Sequence, residues 1–392
     1  MVSKRNLLFA TLLIGLAACS SHGQNGGVVP QTTERSHVAA VNPATSCAVV
    51  PSTVGNFAGL FGGASVSDAW VITELSVNPA TQQFEHFTSA GWHTVPPPVT
   101  PSFQNIQLRE LAAIAPDDVW AAGVGINQPN GNTALFFHWD GVAWSSVPSD
   151  PSLSHNFEIE TIAGDAPNDV WAIASSAPGN VPTVELERWN GTQWSFVTTI
   201  HGQNGFVGTQ SRLQVFGPND VWMMLGTPTP VNFGVAAVIA HWNGTGVTKM
   251  RLPPLNGTAP GPGLFEGTAS NDLWFAGGAG QSPYIARHTT SWSLYNTSFV
   301  AAYFFHDIID FRPGYALITA TNQTRNPALL VYNGYVRWRP TSSPWPSNTT
   351  ETNGASVVKG TTSFWSAYTT ITPLNTPNVA LVQCPSSPPA PL

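Results

Sequence analysis

Asn168-Asp169-Val170-Trp171 is followed 51 residues later by Asn219-Asp220-Val221-Trp222, and 52 after that by Asn271-Asp272-Leu273-Trp274. Reading back toward the N-terminus finds Asp117-Asp118-Val119-Trp120 and Ser67-Asp68-Ala69-Trp70. Two weaker copies, Pro313-Gly314-Tyr315 and Ser363-Phe364-Trp365, extend the series to seven, with aromatic positions 50, 51, 51, 52, 41 and 50 residues apart. Self-similarity at a fixed period of this size is the mark of a repeat architecture, in which each copy is one supersecondary unit.

The unit has a constant internal order. A short apolar run, such as Leu111 to Ile114, Leu213 to Phe216 or Ile308 to Phe311, enters a turn of Pro, Asn or Asp. The Trp strand follows and ends in small residues, as in Trp120-Ala121-Ala122-Gly123. Two more apolar runs then flank a tight turn, seen in Phe137-His138-Trp139-Asp140-Gly141-Val142-Ala143-Trp144 and in Glu187-Arg188-Trp189-Asn190-Gly191-Thr192-Gln193-Trp194. Asp-Gly and Asn-Gly readily take the positive φ that such hairpins require. Four short β-runs per ~50 residues, copied around an axis, is the arithmetic of a β-propeller. No stretch sustains the apolar spacing of an amphipathic helix, so a helical solenoid is excluded. The expected fold is all-β, a seven-bladed propeller of four-stranded antiparallel blades.

The last copy stops at Val382-Gln383-Cys384, one strand short. The missing strand stands at the other end of the domain, where Cys47-Ala48-Val49-Val50-Pro51 matches Trp144-Ser145-Ser146-Val147-Pro148. An N-terminal strand that completes the final blade resembles the velcro closure of many propellers. Counting 19 residues from Trp120 to Trp139 and from Trp365 to Cys384 puts both cysteines where complete blades carry facing tryptophans. A Cys47–Cys384 disulfide is therefore expected, the alternative being two unpaired thiols.

Of 392 residues 42% are hydrophobic and 9% charged, enough for a large core and contrary to disorder. Net charge is −7, and the only basic run is Lys4-Arg5, so no nucleic-acid partner is expected. After Lys4-Arg5, the apolar run Leu7 to Ala18 is too short to span a bilayer and fits a signal-peptide core. Its end, Leu16-Ala17-Ala18-Cys19-Ser20, resembles the lipobox of bacterial lipoproteins. That resemblance implies cleavage before Cys19, a diacylglycerol on its thiol, and a membrane partner reached through the lipid. The third cysteine is thereby accounted for, and the other two remain as a pair in an oxidising compartment. The expected plan is a signal peptide over 1–18, a flexible tether over 19–45, the propeller over 46–386 and a Pro-rich tail over 387–392. The expected location is the bacterial cell envelope, at the outer membrane if the host has one.

The repeat resembles degenerate bacterial propeller repeats of the form (N/D)DVWA(V/A)G followed by HW(D/N)G…W, found in exported lipoproteins. It is distantly similar to photosystem-assembly-factor-type and BNR-like propellers. The resemblance covers about residues 46–386 and implies a fold rather than an activity. The Asp-box of sialidases is matched only in part by Asp140-Gly141-Val142-Ala143-Trp144, and the WD dipeptide occurs once, at Trp139-Asp140. Periodicity gives the Asp-Val-Trp copies a structural role, with Trp wedged between blades and Asp capping a turn. Trp144, Trp194, Trp292 and Trp338, on outer strands, are expected to be half-buried, with any solvent-facing one open to stacking on a sugar.

The usual site of a propeller is the mouth of its channel. Polar residues of the innermost strands are Arg109, Glu110, Glu158, Glu160, Arg212, Glu266, His306, Asp307 and Asp310. Glu110, Glu160, Arg212, Glu266 and Asp307 form the candidate ligand site. His306 and Asp307 are adjacent and so face opposite ways on a strand, which rules them out as a dyad. The ten histidines show no metal-ligand spacing, and no phosphate loop or dinucleotide fingerprint is present, so no metal or cofactor is expected. Two functions remain. One is a non-enzymatic binding scaffold that recognises a protein or glycan through loops such as Gly125 to Thr133, Ala177 to Thr183 and Thr227 to Gly234. The other is a carbohydrate-active hydrolase or lyase using Glu110, Glu160 and Glu266.

Overall fold

The computed structural model describes residues 46–50, 54–55, 59–74, 82–99, 103, 105–126, 131–151, 153, 157–176, 183–200, 212–228, 235–295, 297, 303–322, 326–332, 339–341, 343–370 and 376–386. Cys19, the signal peptide, the tether, most of the three variable loops and the tail from 387 lie outside them. Among the described residues every regular element is a strand, and the strands form seven antiparallel sheets.

Blade 2 shows the plan. Asn105–Ala115, Asp118–Ile126, Asn132–Trp139 and Trp144–Val147 pair each with the next in sequence order. The first strands of the seven blades are Gly59–Ser65, Asn105–Ala115, Phe157–Ala166, Arg212–Val215, Leu264–Ala269, Tyr303–Arg312 and Thr349–Val358. Each touches the first strand of the next blade, and the seventh touches the first, so these strands line the axis of a closed ring.

Hydrophobic burial falls between blades. Trp70, Trp120, Trp171, Trp222, Trp274 and Trp365 each sit in the apolar cluster joining their own blade to the next, all at 4% exposure or less. In blade 6 the equivalent position is Leu317 rather than Tyr315: Ile309 pairs with Leu317 as Ala112 pairs with Trp120, between corresponding bulges. Tyr315 instead takes the place of Asp118, and Trp345, from the chain leading into blade 7, joins Leu317 and Tyr315 in that wedge. The irregular spacing in the sequence marks this substitution.

In blades 2, 3 and 4 the Asp takes a hydrogen bond from its own Trp, and in blade 1 Asp68 holds His86, which stacks on Trp70. Asp118 Oδ1 accepts hydrogen bonds from Trp120 Nε1 (2.9 Å) and from His138 Nε2 (2.8 Å), and the His138 ring stacks on the indole at 4.3 Å. Blade 4 repeats this with Asp220, Trp222 and His241. In blades 3 and 5 an arginine replaces the histidine, Arg188 bonding Asp169 and Arg287 bonding Asp272, each guanidinium lying over the indole. The Asp thus ties second strand to third, a stronger role than turn capping. Trp139, Trp189 and Trp242 donate to the carbonyls of Pro116, Pro167 and Pro218, which fastens the outer hairpin to the first turn of the same blade. Trp144 and Trp194 are buried at 6% and 2% rather than half-buried, because they complete the wedges of blades 1–2 and 2–3. Trp292 is partly buried, and Trp338 lies outside the described residues.

Turn chemistry closes the outer hairpins. Asp140 Oδ1 accepts from the backbone N–H of Val142 and Ala143, and Gly141 holds φ +91°. A Cβ on Gly141 would also stand 2.9 Å from the Asp117 side chain, so both conformation and space call for glycine there.

Blade 7 is completed by the N-terminal strand. Ser363–Thr370 and Thr376–Gln383 follow Thr349–Val358, and Ala48–Val49 pairs antiparallel with Val382 and Gln383. Val54–Gly55 continues along the same partner at Val379 and Asn378. The Cys47–Cys384 disulfide is present, with Cα atoms 4.0 Å apart. Its place differs from the expected one. Trp365 pairs with Leu381 as Trp120 pairs with His138, so Val382 and Val49 occupy the positions of Trp139 and Trp144. The cysteines lie beyond them, at the tip, where Gly141 and Val142 make the turn in blade 2. The count of 19 residues misled because the hairpin of second and third strands is two residues shorter in blade 7: Trp365 pairs with Leu381, 16 residues on, and Trp120 with His138, 18 residues on.

Candidate functional site

The inner strands carry bulges that aim side chains where plain alternation would not. In blades 2, 3 and 6 one residue near the start of the strand is skipped by the ladder: Arg109, Glu160 and His306. Two residues earlier, at one height around the ring, stand Gln107, Glu158 and Phe304, paired with Val124, Ser175 and Thr321. These residues define the channel mouth on the face where the inner strands begin.

Blades 2 and 3 are joined at this mouth. Arg109 donates to Glu158 at 2.7 Å, and Asn132 Nδ2 donates to the other Glu158 oxygen at 2.6 Å. Glu160 accepts from the Ser175 hydroxyl through one oxygen, and its second oxygen has no hydrogen bond, nor has Arg109 Nε. Burial raises the Glu160 carboxyl above its ordinary value, with Ser175 and Arg109 opposing. On blade 6, His306 Nε2 meets the Thr321 hydroxyl, and burial pushes the imidazole down to about 4, so it is neutral at pH 7. Phe304 is 66% exposed.

Deeper in the ring, Arg212, Glu266 and Asp307 belong to one electrostatic group contributed by blades 4, 5 and 6. Burial raises Asp307 to about 8; the Ala355 and Ile308 amides and Arg212 pull it down, and Glu266 pushes it up. Asp307 accepts the Ala355 N–H of blade 7 at 2.7 Å. Glu266 accepts from Gln214 of blade 4 at 3.0 Å, and the same amide reaches the Phe265 carbonyl. Such bonds satisfy backbone and side-chain groups along the inner edge, which has no further strand to pair with. Asp310 faces blade 5, accepts from Thr268, and is raised well above its ordinary value by burial and by Asp272 and Glu266. Lys359, at the first turn of blade 7, is lowered to about 8 by burial, against the pull of Asp165 and Glu266.

The five residues chosen from sequence therefore lie on inner strands of blades 2 to 6, all buried: Glu110 3%, Glu160 8%, Arg212 4%, Glu266 5% and Asp307 6% exposed. The structure brings Arg212, Glu266 and Asp307 together and sets Glu160 apart with Arg109 and Glu158. Glu110 pairs with Ala122 on blade 2. His306 and Asp307 turn to different partners, Thr321 and the Ala355 N–H, with His306 in a bulge rather than in the plain alternation the sequence reading assumed. Sequence reading missed Phe304, Asn132 and Lys359. The first two carry no motif, and Lys359 enters the group from a turn. Among the described residues no three His, Cys, Asp or Glu side chains are grouped to hold a metal ion.

No protein-family model and no curated protein matches the chain. Solved structures do match. The chain is similar to one titled YCF48 bound to D1 peptide, with TM-score 0.54 and 13% identity over 87% of this chain and 98% of that one. It is also similar to PorZ, a surface component of the type-IX secretion system of Porphyromonas gingivalis, with TM-score 0.50 and 11% identity over 77% of this chain and 44% of that one. At these identities the likeness is one of fold, that of a β-propeller.

Proposed function

We propose that this chain is a binding scaffold of the bacterial cell envelope, anchored by lipid on Cys19, whose propeller recognises a protein or glycan over one face. The outer membrane is the expected anchor site in a host that has one. The reading rests on the burial of Glu110, Glu160 and Glu266, the carboxyls a hydrolase or lyase would need. Glu160 and Glu266 are already engaged by Ser175 and Gln214, so neither is presented to a glycosidic oxygen. A rigid ring holding irregular loops and a polar mouth suits recognition.

Two measurements test it. Phase partitioning in a detergent that clouds on warming should carry the chain expressed in a bacterial host into the detergent phase, and the Cys19→Ser variant into water. Sugar release from polysaccharides by the full chain should be no greater than by a variant with Glu110, Glu160 and Glu266 all changed to Ala. Release abolished by that variant, with its melting temperature intact, would replace scaffold by enzyme.

A further inference from the structure

In blades 1 to 5 the third-strand residue opposite the wedge tryptophan is His86, His138, Arg188, His241 and Arg287. Its neighbour across the outer hairpin is Ser145, Ser195, Thr248 and Ser293 in blades 2 to 5. In blade 1 it is His93. Directly opposed residues of an antiparallel pair share one face. Two imidazoles therefore stand side by side in blade 1, with ring centroids 5.2 Å apart. Seven residues separate them in the chain, a spacing that matches no metal motif until the hairpin is folded.

His86 is prepared as a ligand. Its Nε2 meets Asp68 at 2.8 Å. Asp118 and Asp220 each divide one oxygen between a histidine and a tryptophan, whereas Asp68 serves His86 and Trp70 Nε1 has no hydrogen bond. A carboxylate only accepts, so the proton of the neutral ring sits on Nε2 and Nδ1 presents its lone pair. Carboxylate–histidine pairs of this kind orient metal-binding imidazoles. His86 Nδ1 has no hydrogen bond among the described residues and is not shut off from solvent, to which 9% of the side chain remains open. Stacking on Trp70 at 4.0 Å and an edge contact with Trp139 at 5.7 Å hold the ring in place. His93 is exposed; its Nδ1 lies 3.5 Å from the Gly91 carbonyl, and Nε2 has no partner among the described residues. Two imidazole nitrogens ~2.0–2.1 Å from one tetrahedral ion place the ring centroids about 5 Å apart. The exposed His93 ring is the one that can turn to meet the ion.

We propose that His86 and His93 form a site for a divalent transition-metal ion, with water in the remaining positions. It lies on the side of the ring where the inner strands end, since Trp70, opposite His86, pairs with Gly62 near the end of Gly59–Ser65. Imidazole donors favour Cu2+, then Zn2+, over Mg2+ and Ca2+. Asp68 acts through His86 and does not touch the ion, in keeping with the absence of a three-ligand group among the described residues. Two protein ligands make this an exchangeable surface ion rather than a structural one.

Titration calorimetry of the full chain in detergent with CuCl2, ZnCl2 and MgCl2 tests this, alongside electron paramagnetic resonance of the Cu2+-loaded chain. The expected result is saturable Cu2+ binding, weaker Zn2+ binding and none of Mg2+. His93→Ser should weaken Cu2+ about tenfold or more and change the nitrogen splitting of the copper signal. The metal-free melting temperature should stay where it is, because serine or threonine holds this place in blades 2 to 5. All other histidines and Cys19 are common to both chains, so the difference isolates the pair. Equal Cu2+ affinity in wild type and His93→Ser, or an unchanged nitrogen splitting, overturns the site. Mg2+ bound as tightly as Cu2+ overturns the ligand class.

Discussion

Cys384 of blade 7 occupies the place that Gly141 holds in blade 2: each lies three residues past the partner of the wedge tryptophan, Leu381 for Trp365 and His138 for Trp120. In blade 2 a peptide turn crosses from there to the outer strand. In blade 7 a sulfur–sulfur bond does so, reaching Cys47. The disulfide is thus the last hairpin of the ring in covalent terms.

Loss of that bond should therefore open the ring at one hairpin. It closes a loop of 337 residues, for which the chain-entropy model gives about 5–6 kcal/mol as an upper figure. The double variant Cys47→Ser, Cys384→Ser should melt below the oxidised wild type and match the reduced wild type. Non-reducing peptide mapping should find the two cysteines joined. A wild type whose melting is unmoved by reductant contradicts this role.

Trp120→Ala should cost about 3–5 kcal/mol, because it empties the wedge between blades 2 and 3 and leaves Asp118 with His138 alone. Denaturant unfolding monitored by circular dichroism gives the value. A loss under 1 kcal/mol is incompatible with the wedge role.

Glu187, on the third strand of blade 3, has no exposed surface, and neither carboxylate oxygen has a hydrogen bond. Burial, then Asp150 and Glu185, push its pKa to about 8 from an ordinary 4.5. The folded state thus holds the proton more tightly than the unfolded state. Stability from this group is complete below pH 4.5 and is lost as pH rises toward 8. Glu187→Gln needs no proton and should melt several degrees above wild type at pH 8, with the gap closing below pH 4. A gap independent of pH would refute the assignment.

Gly91 and Gly141 have nearly the same backbone, φ +94° and +91°, yet only Gly141 has a neighbour within reach of an added Cβ. Both alanine variants should lose about 1 kcal/mol for the backbone, and Gly141→Ala more, through Asp117. Parallel thermal melts compare them directly. Equal losses would show that the Asp117 contact yields freely.

The ring was legible in the sequence because Asp-x-Trp does the same physical job in most blades. It anchors an indole, and the indole fills a wedge. Where that job passed to other residues, legibility fell. In blade 6 Leu317 and Trp345 fill the wedge, so Tyr315 looked like the missing aromatic. In blade 7 a shorter hairpin displaced the apparent cysteine register by two residues while leaving their pairing readable. The mouth was less accessible to sequence reasoning. Bulges at Arg109, Glu160 and His306 decide which inner-strand side chains share a height, and no residue type announces a bulge. Of the carboxyls chosen for their chemistry, Glu266 and Asp307 proved to be fastened between blades and Glu160 within its own.

Completion of blade 7 by Ala48–Val49 puts the junction on the outermost strand, away from the axis. A pull on the chain ahead of Cys47 would act at the circumference of the ring. Load carried along it passes through sulfur into Cys384 before it can peel two residues of backbone pairing.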